Sequence, residues 1–172
     1  TSVLVKSFAL TVLLGTALKF EGRFQLQTKS DGPISMMVVD FNAPDNFRAV
    51  AHLDEVGSTN AEALDRARPW APVIAELQTA GRGRLGREWH EVPSAGLAMS
   101  VLVPLTPSPG WLPLVAGLAV RSALAEVGVA ARLKWPNDVL VPGDDDRKVC
   151  GILCQLQPSG TGVVVGIGIN VH

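Results

Sequence analysis

Three glycines and three arginines alternate within seven residues, in the run from Gly81 to Arg87. Glycine lets the backbone approach a ligand closely, and the planar guanidinium of arginine can hold a phosphate or a carboxylate through two hydrogen bonds. The run matches neither the phosphate-binding loop of nucleotide hydrolases nor the dinucleotide-binding fingerprint. We therefore predict a loop that clamps an anion, with a solvated basic turn as the simpler alternative.

Two further segments place a lysine beside aromatic, acidic or apolar residues. Lys134-Trp135-Pro136-Asn137-Asp138 combines an ammonium, an aromatic ring and a carboxylate, and the proline restricts Trp135 to an extended conformation. In Lys148-Val149-Cys150-Gly151-Ile152-Leu153 a lysine begins an apolar strand, where partial burial would direct its ammonium at a bound anion. In isolation, each segment is also typical of ordinary structure, a turn at a strand end and a solvated lysine.

Strands and two helices must position these segments. Alternating or apolar runs predict strands at residues 48–56, 73–78, 97–103, 131–135, 138–141, 148–156 and 163–171. One helix should begin at Thr59, which has the capping-box spacing to Glu62, and end before Pro69. A second should run to about Val127 and bury one apolar face, made of Leu112, Val115, Ala116, Ala119, Ala123 and Val127. The expected fold class is α+β, a mixed or antiparallel sheet covered by helices on one face.

Composition limits the classes of function. The 172 residues, 47% of them hydrophobic, are enough for one domain with its own core. With 15 Lys and Arg against 16 Asp and Glu, no general electrostatic field attracts nucleic acid or an anionic membrane. Cys150 and Cys154 stand roughly 13 Å apart on one predicted strand, too far for a disulfide. We expect two buried thiols in a reducing compartment, the cytoplasm.

The first 45 residues lack the patterns of the remainder. Residues 7–18 are apolar but shorter than the about 20 residues that span a bilayer. With Lys6 in front they resemble the hydrophobic region of a signal peptide, but we expect instead sequence translated upstream of a start at Met36 or Met37. The sequence thus predicts a leader outside the domain over residues 1–45 and a domain from residue 46.

Five segments occur in the order and spacing of the motifs of biotin protein ligases, so the chain resembles that family over about residues 48–172. They are Gly57 to Asn60, Gln78 to Trp89, Lys134 to Val139, Lys148 to Leu153 and Gly166 to Val171. The resemblance implies the family's fold, which is similar to class II aminoacyl-tRNA synthetases. It also implies a two-step reaction with ATP, biotin and Mg²⁺. Biotinyl-5′-adenylate forms first, and a lysine of a biotin carboxyl carrier protein then takes the biotinyl group.

Carried over position by position, the resemblance implies a role for each matching residue. The residues expected in catalysis are Lys148, Arg82 and Arg84. Those expected to contact biotin are Ser58, Thr59, Asn60, Gln78, Gly81, Arg82, Arg84, Lys148 and Gly151. Those expected around ATP and the adenylate are Gly83, Gly86, Arg87, Trp89, Lys134, Asn137, Asp138 and Asn170. No residue is assigned directly to a metal.

The resemblance further implies that the chain ends before the last helical part of the family's catalytic domain and its small C-terminal β domain. We therefore expect a partial catalytic domain over residues 46–172, and its activity alone stays open. Residues 1–45 lack the paired helices of an operator-binding domain, which predicts a ligase without repressor activity. A homodimer also stays open.

Three other functions remain as alternatives. A lipoate ligase or octanoyl transferase shares the fold, although the glycine- and arginine-rich loop resembles the biotin branch. An RNA-binding module could use the loop arginines with Trp89 and Trp135, but the formal charge of −1 and the 5% aromatic content are against it. A metal enzyme could use His52, His90 and the acidic residues 144–146, yet no His or Cys pair has ligand spacing.

Overall fold

One mixed sheet carries the part of the chain that the computed structural model describes, which is residues 23–29, 36–42, 46–90, 95–143 and 145–170. Its strands and helices, in chain order, are β1 (Arg23–Lys29), β2 (Met36–Asn42), β3 (Asn46–Val56), α1 (Thr59–Arg66), β4 (Val73–Gln78), β5 (Gly96–Pro104), α2 (Leu112–Glu126), β6 (Arg132–Lys134), β7 (Asp138–Val141), β8 (Arg147–Leu156) and β9 (Gly162–Asn170).

The order of strands across the sheet is β1-β2-β3-β4-β5-β9-β8-β7-β6. Neighbours run antiparallel throughout, except that β3 and β4 are parallel and are connected through α1. A parallel pair needs such a crossover, whereas the antiparallel β8 and β9 need only a short turn. The predicted α+β class with a mixed sheet is confirmed.

The two helices lie on opposite faces of this sheet. Successive side chains of a strand point to opposite faces, so adjacent residues of β5 show which helix covers which face. Leu102 packs in a cluster with Ala63 of α1, whereas Val103 packs in a cluster with Val120 of α2. The expectation that helices cover one face was wrong. The continuous apolar run of β9 over residues 163–165 is typical of a strand buried on both faces.

Helix α2 buries a different stripe from the predicted one. The residues that pack towards the sheet are Leu112, Ala116, Gly117, Val120 and Leu124. Val115 is 58% exposed and Val127 is 73% exposed, although both were predicted to be buried. The helix is apolar on nearly every side, so periodicity could not identify the stripe. Gly117 lies within the buried stripe, and a Cβ there would come within 2.8 Å of Cδ2 of Leu133 on β6.

Two strands form within residues 1–45, the stretch predicted to be a leader outside the domain. Strands β1 and β2 pair antiparallel, and β2 pairs with β3 from Met36 opposite His52 to Asn42 opposite Asn46. The apolar Phe24 and Leu26 alternate with polar residues in Arg23–Lys29, a pattern typical of a strand. The apolar run 7–18 lies outside the described residues, and the domain boundary at residue 46 stays a prediction. No helix among the described residues is long and apolar enough to cross a membrane.

Candidate functional site

A cleft of about 350 Å³ opens on the α1 face of the sheet, above β8 and β9. Gly151 pairs with Gly168 and Leu153 pairs with Gly166, so these residues share one face of the two strands. The same alternation places them on the face where Val164 packs near α1. Gly151, Gly166 and Gly168 carry no side chains, which leaves open space above this part of the sheet.

Most of the predicted site residues meet at this cleft. Those that line it are Ser58, Thr59, Asn60, Gln78, Arg82, Gly83, Arg84, Arg87, Trp89, Lys134, Asn137, Asp138, Lys148 and Gly151. The three that do not line it are Gly81, Gly86 and Asn170. Lining residues that the site prediction did not name are Leu85, Glu88, Pro136, Ile152, Leu153, Gly166, Ile167 and Gly168. For Gly166 and Gly168 the available signal was the alternation of glycines along an apolar strand.

Uncharged hydrogen-bonding groups form one end of the cleft, at the start of α1. The backbone N–H of Thr59 donates to Oε1 of Gln78 at 2.8 Å, and its hydroxyl is 3.0 Å from the same oxygen. The predicted capping box was wrong. Ser58 is the N-cap and makes no side-chain cap hydrogen bond, while Glu62 pairs with Arg66 one turn later. The hydroxyl of Thr59 is instead used in tertiary contacts.

Asn60 ties the start of α1 to the strands beneath it. Its Nδ2 donates to the carbonyl oxygen of Leu153 at 3.3 Å and to Oε1 of Gln155. Its Oδ1 accepts from the hydroxyl of Ser100 at 2.6 Å. Gly166 permits this approach, because a Cβ there would collide with the Asn60 amide. Both ends of the amide are therefore occupied by protein groups.

The indole of Trp89 lies over the glycine floor at the other end. A Cβ on Gly168 would come within 2.6 Å of its Cζ2, and a Cβ on Gly151 within 2.9 Å of its Cζ3. The ring can therefore rest directly on the backbone of β8 and β9. The backbone N–H of Trp89 donates to the carbonyl of Gly81 at 2.9 Å, which fixes the end of the loop. Gly81 cannot be larger, since a Cβ there would lie 2.7 Å from the Trp89 carbonyl oxygen.

The predicted anion-clamping loop folds back on itself above this floor. The backbone N–H of Gly83 donates to the Arg87 carbonyl at 2.7 Å, and that of Arg87 donates to the Arg84 carbonyl at 3.3 Å. The turn between them needs positive φ angles, 59° at Leu85 and 74° at Gly86. Gly86 adopts such an angle without strain, which accounts for its position although it does not line the cleft. The three exposed arginines of the loop all border the cleft.

Lys148 reaches the cleft because β8 contains a bulge. The register shifts between Val139 and Leu140, so that Val139 faces Cys150 while Leu140 faces Lys148, and Val149 is the extra residue. A bulge reverses the alternation of a strand. Lys148 and Gly151, three positions apart, consequently share the cleft face, whereas Cys150 points into the core under α2.

The ammonium of Lys148 is held by two neighbours. Its Nζ lies 2.8 Å from Oδ1 of Asp138 and 5.3 Å from the centre of the Trp89 ring. That Asp138 oxygen is buried and has no hydrogen-bond partner of acceptable geometry within the described part of the chain. The ion pair therefore neutralises charge without a well-directed hydrogen bond. Lys148 keeps a 40% exposed side chain, with donor capacity for a ligand.

Two asparagines fix the backbone near this lysine. Asn137 donates from Nδ2 to the Ile152 carbonyl at 2.9 Å, and the N–H of Ile152 donates to the Asn137 carbonyl at 2.9 Å. Asn170 donates from Nδ2 to the carbonyl of Lys148 at 3.1 Å. Asn170 thus holds the backbone of Lys148 without bordering the cleft.

Positive charge is concentrated at the cleft although the whole chain has a formal charge of −1. Its lining includes the cations Arg82, Arg84, Arg87, Lys134 and Lys148, against the two carboxylates of Glu88 and Asp138. A partly enclosed cleft lined with one sign of charge concentrates oppositely charged ligands. No group of three or more His, Cys, Asp or Glu residues in the described ranges could hold a metal ion. The arrangement can bind an anion at one end and an uncharged polar group at the other.

The two thiols lie outside this chemistry. Burial raises the pKa of Cys150 to about 12, an effect that nearby Lys148 opposes and Asp138 reinforces, and burial raises the pKa of Cys154 to about 11. Both cysteines are free, as predicted, but only Cys150 is buried, whereas Cys154 is partly exposed. A thiol that stays protonated at neutral pH is a poor nucleophile and a poor metal ligand.

The amino-terminal part of the chain has a similarity of its own. A family model described as "Hsp33 protein" matches residues 1–85, which include the stretch expected to be a leader. The 33 kDa chaperonin of Caulobacter vibrioides is 38% identical over 53 residues, which are 31% of this chain and 18% of that protein. This similarity covers too little of either chain to establish membership of that family.

The cleft-bearing part matches other proteins. The biotin–[acetyl-CoA-carboxylase] ligase of Mycobacterium tuberculosis is 42% identical over 143 residues, covering 75% of this chain and 52% of the relative. The biotin protein ligase of Aquifex aeolicus in complex with biotin and ATP has a TM-score of 0.60 at 39% identity, covering 70% of this chain and 51% of that one. The Leishmania major ligase in complex with biotinyl-5-AMP has a TM-score of 0.61 at 34% identity, covering 70% and 56%.

The chain thus spans about half the length of these relatives. A family model matches residues 58–171, which contain α1, the loop, both cleft-floor strands and every residue that lines the cleft. This match extends over more than half of the chain, and the cleft described above lies wholly within it. The chain therefore belongs to the Biotin/lipoate A/B protein ligase family.

Proposed function

We propose that this chain carries the catalytic cleft of a biotin protein ligase, which uses ATP to form biotinyl-5′-AMP and transfers biotin to a lysine of a biotin carboxyl carrier protein. The supporting observation is one cleft with two unlike ends. Thr59 and Gln78 provide hydrogen-bonding groups without charge at one end, and Lys148 with the loop arginines provides cations at the other. The two ends of the cleft are roughly 15 Å apart, the length of β8 from Leu153 near the uncharged end to Lys148 at the cationic end.

The uncharged end favours biotin over lipoate within the family. Biotin ends in a cyclic urea, with N–H donors and a carbonyl acceptor, whereas the dithiolane ring of lipoate has neither. When an apolar ring fills the pocket, its hydroxyl and amide groups lose water without gaining a hydrogen-bond partner. The binding free energy becomes less favourable, so such a pocket discriminates against an apolar ring. Ser58, Thr59 and Gln78 would bind the urea, while Asn60, whose amide is occupied within the protein, would hold the start of α1.

The cationic end would carry out the first step. An oxygen of the biotin carboxylate attacks the α-phosphorus of ATP, the bond to the bridging oxygen breaks, and pyrophosphate leaves. Lys148 would lie between the carboxylate and the α-phosphate, reducing the repulsion between two anions and aligning them. Asp138 and the Trp89 ring would set the direction of its ammonium. Arg82 and Arg84 would stabilise the negative charge on the phosphate.

The glycine-rich loop would protect the product. An acyl-adenylate hydrolyses when water reaches it, so the loop has to cover it until the acceptor lysine arrives. The amine of that lysine then attacks the biotinyl carbonyl, and AMP leaves. Gly83 would let the loop backbone approach the ligand, while Gly81 and Gly151 would make room for Trp89. Gly86 would form the turn of the loop, and Arg87 would contribute charge.

On the nucleotide side, we place Trp89 beside the adenine and Lys134 near the phosphates. Asn137 would shape this side through its contacts with Ile152, and Asn170 would act through the backbone of Lys148. Mg²⁺ would arrive with ATP, whose phosphates supply most of its ligands. Asp138 would border this side of the cleft through its ion pair with Lys148. We also propose a cytoplasmic protein.

Isothermal calorimetry of the 172-residue chain with biotin, lipoate and octanoate tests the choice of acid. We expect biotin to bind at least tenfold more tightly than either fatty acid, and Thr59→Val to reduce that preference. A matched control is Thr161→Val, on the exposed turn before β9. Tighter binding of lipoate would overturn the proposal in favour of a lipoate or octanoate ligase.

A further inference from the structure

Ser100 is a fully buried hydroxyl directly beneath the uncharged end of the cleft. It lies on β5 with 0% exposure and does not line the cleft. Its Oγ is 2.7 Å from Oγ1 of Thr59 and 2.6 Å from Oδ1 of Asn60. We infer that Ser100 is a positioning residue, which sets the side chains of the first two residues of α1 for an N–H-bearing ligand. This inference rests on the proposed function and names a residue outside its predicted site.

The orientation of each amide around Ser100 follows from groups that can act in only one way. A backbone N–H can only donate, so the atom of Gln78 that faces the Thr59 N–H has to be Oε1. A backbone carbonyl can only accept, so Nδ2 of Asn60 faces Leu153, and Oδ1 is left to face Ser100. The positions of oxygen and nitrogen are therefore fixed by the backbone.

Counting protons then determines what Thr59 presents to the cleft. Ser100 has one hydroxyl proton, and the Asn60 oxygen beside it can only accept. The Thr59 hydroxyl donates to Oε1 of Gln78 at 3.0 Å, so its proton stays inside the protein. The single Ser100 proton is directed at the oxygens of Thr59 and Asn60, which lie 2.7 Å and 2.6 Å away. The cleft consequently receives a lone pair of the Thr59 oxygen, which accepts from a ligand N–H such as that of an amide or a urea.

Removing the Ser100 hydroxyl would remove the contacts that hold Thr59 and Asn60 from beneath the cleft. The Asn60 oxygen, in a residue that is only 6% exposed, would lose its donor. A buried acceptor without a partner is costly, so the Asn60 amide would rotate or admit water. Thr59 would then be held through Gln78 alone, with a wider range of hydroxyl directions. The expected consequence is weaker ligand binding at this end, without an effect at Lys148.

The test compares Ser100→Ala and Ser100→Cys with Leu102→Val in the 172-residue chain. Cysteine retains a weak donor at position 100. Leu102 lies two residues along β5 on the same face, 2% exposed, so the control disturbs packing without removing a hydrogen bond. Calorimetry should show biotin binding weakened about tenfold in Ser100→Ala, partly restored in Ser100→Cys and within twofold in Leu102→Val. ATP binding should stay within twofold in all three.

Nuclear magnetic resonance of the ligand-free chain provides a readout that does not depend on biotin. The side-chain amide protons of Asn60 should exchange slowly in the unaltered chain and in Leu102→Val, and faster in Ser100→Ala. Unchanged Asn60 exchange in Ser100→Ala overturns the role of Ser100, whatever binds in the cleft. Equal weakening of biotin and ATP binding overturns it too, because it indicates a general loss of structure. If the unaltered chain binds no biotin while the Asn60 result is obtained, the proposed function fails and the Ser100 network stands.

Discussion

Replacing Gly168 with alanine tests whether the cleft depends on an indole ring that lies on bare backbone. The new Cβ would lie 2.6 Å from Cζ2, 2.7 Å from Cε2 and 3.0 Å from Nε1 of Trp89. Carbon atoms in good contact are about 3.5 to 4.0 Å apart, so the ring has to move by roughly 1 Å. The backbone cannot yield instead, because Gly168 is paired with Ala98 on one side and Gly151 on the other.

The size of the effect follows from where the ring can go. A ring trapped against the new methyl group would cost about 1 to 3 kcal/mol of folding free energy, as other overpacked sites do. Trp89 is only partly buried, so we expect it to swing towards solvent at a cost below about 1 kcal/mol. The ammonium of Lys148 then loses the ring 5.3 Å from it, and the nucleotide loses its aromatic neighbour. We expect adenylate formation to fall about tenfold.

Pyrophosphate release with biotin and MgATP measures the rate, and urea unfolding measures the stability. Gly110→Ala is the matched control, because a Cβ at Gly110 meets nothing within 4 Å. The control should retain the rate of the unaltered chain. A Gly168→Ala variant that releases pyrophosphate within twofold of the unaltered rate, with Trp89 still over β9 in its crystal structure, would refute the reasoning.

Two further predictions concern Lys148 and the two thiols. Lys148→Ala should lower adenylate formation by about 10²-fold or more with the fold intact, because a charge-stabilising donor is lost. Near-normal pyrophosphate release would remove Lys148 from the mechanism. The control for this variant is Arg121→Ala, on the exposed side of α2. Burial raises the pKa of Cys150 to about 12 and that of Cys154 to about 11, from 9.0, so only the unfolded chain loses these protons just above pH 9. Stability should therefore fall as the pH rises from about 9 to 11, by up to ~1.4 kcal/mol per pH unit per thiol. Urea unfolding of Cys150→Ala should show a shallower fall, and an equal slope in both chains would contradict the raised pKa of Cys150.

Local sequence patterns predicted the bounds of a strand correctly where a proline marks its beginning or its end. The predicted strands 73–78 and 138–141 coincide with β4 and β7, because Pro72 precedes the first and Pro142 follows the second. Most of the predicted site residues also meet, since they came as ordered motifs and not as single residues. The motifs fixed which segments would come together.

The sequence could not predict how tertiary contacts redirect single side chains. Thr59 has the spacing of a capping box, yet its hydroxyl lies beside Gln78 and Ser100, which are distant in sequence. Lys148 and Gly151 should lie on opposite faces of a regular strand, and only the bulge at Val149 places both at the cleft. A bulge depends on the partner strand, so the sequence of β8 alone does not reveal it.

The central claim is that one cleft joins an uncharged urea-binding end to a cationic end that activates a carboxylate. The most direct measurement is to incubate the 172-residue chain with biotin and MgATP and to identify the acyl-adenylate by mass spectrometry. Parallel reactions contain lipoate or octanoate in place of biotin. We predict biotinyl-5′-adenylate, formed faster than either fatty acyl-adenylate and lost in Lys148→Ala. A folded chain that forms lipoyl- or octanoyl-adenylate in preference, or no adenylate from any of the three acids, would contradict the account.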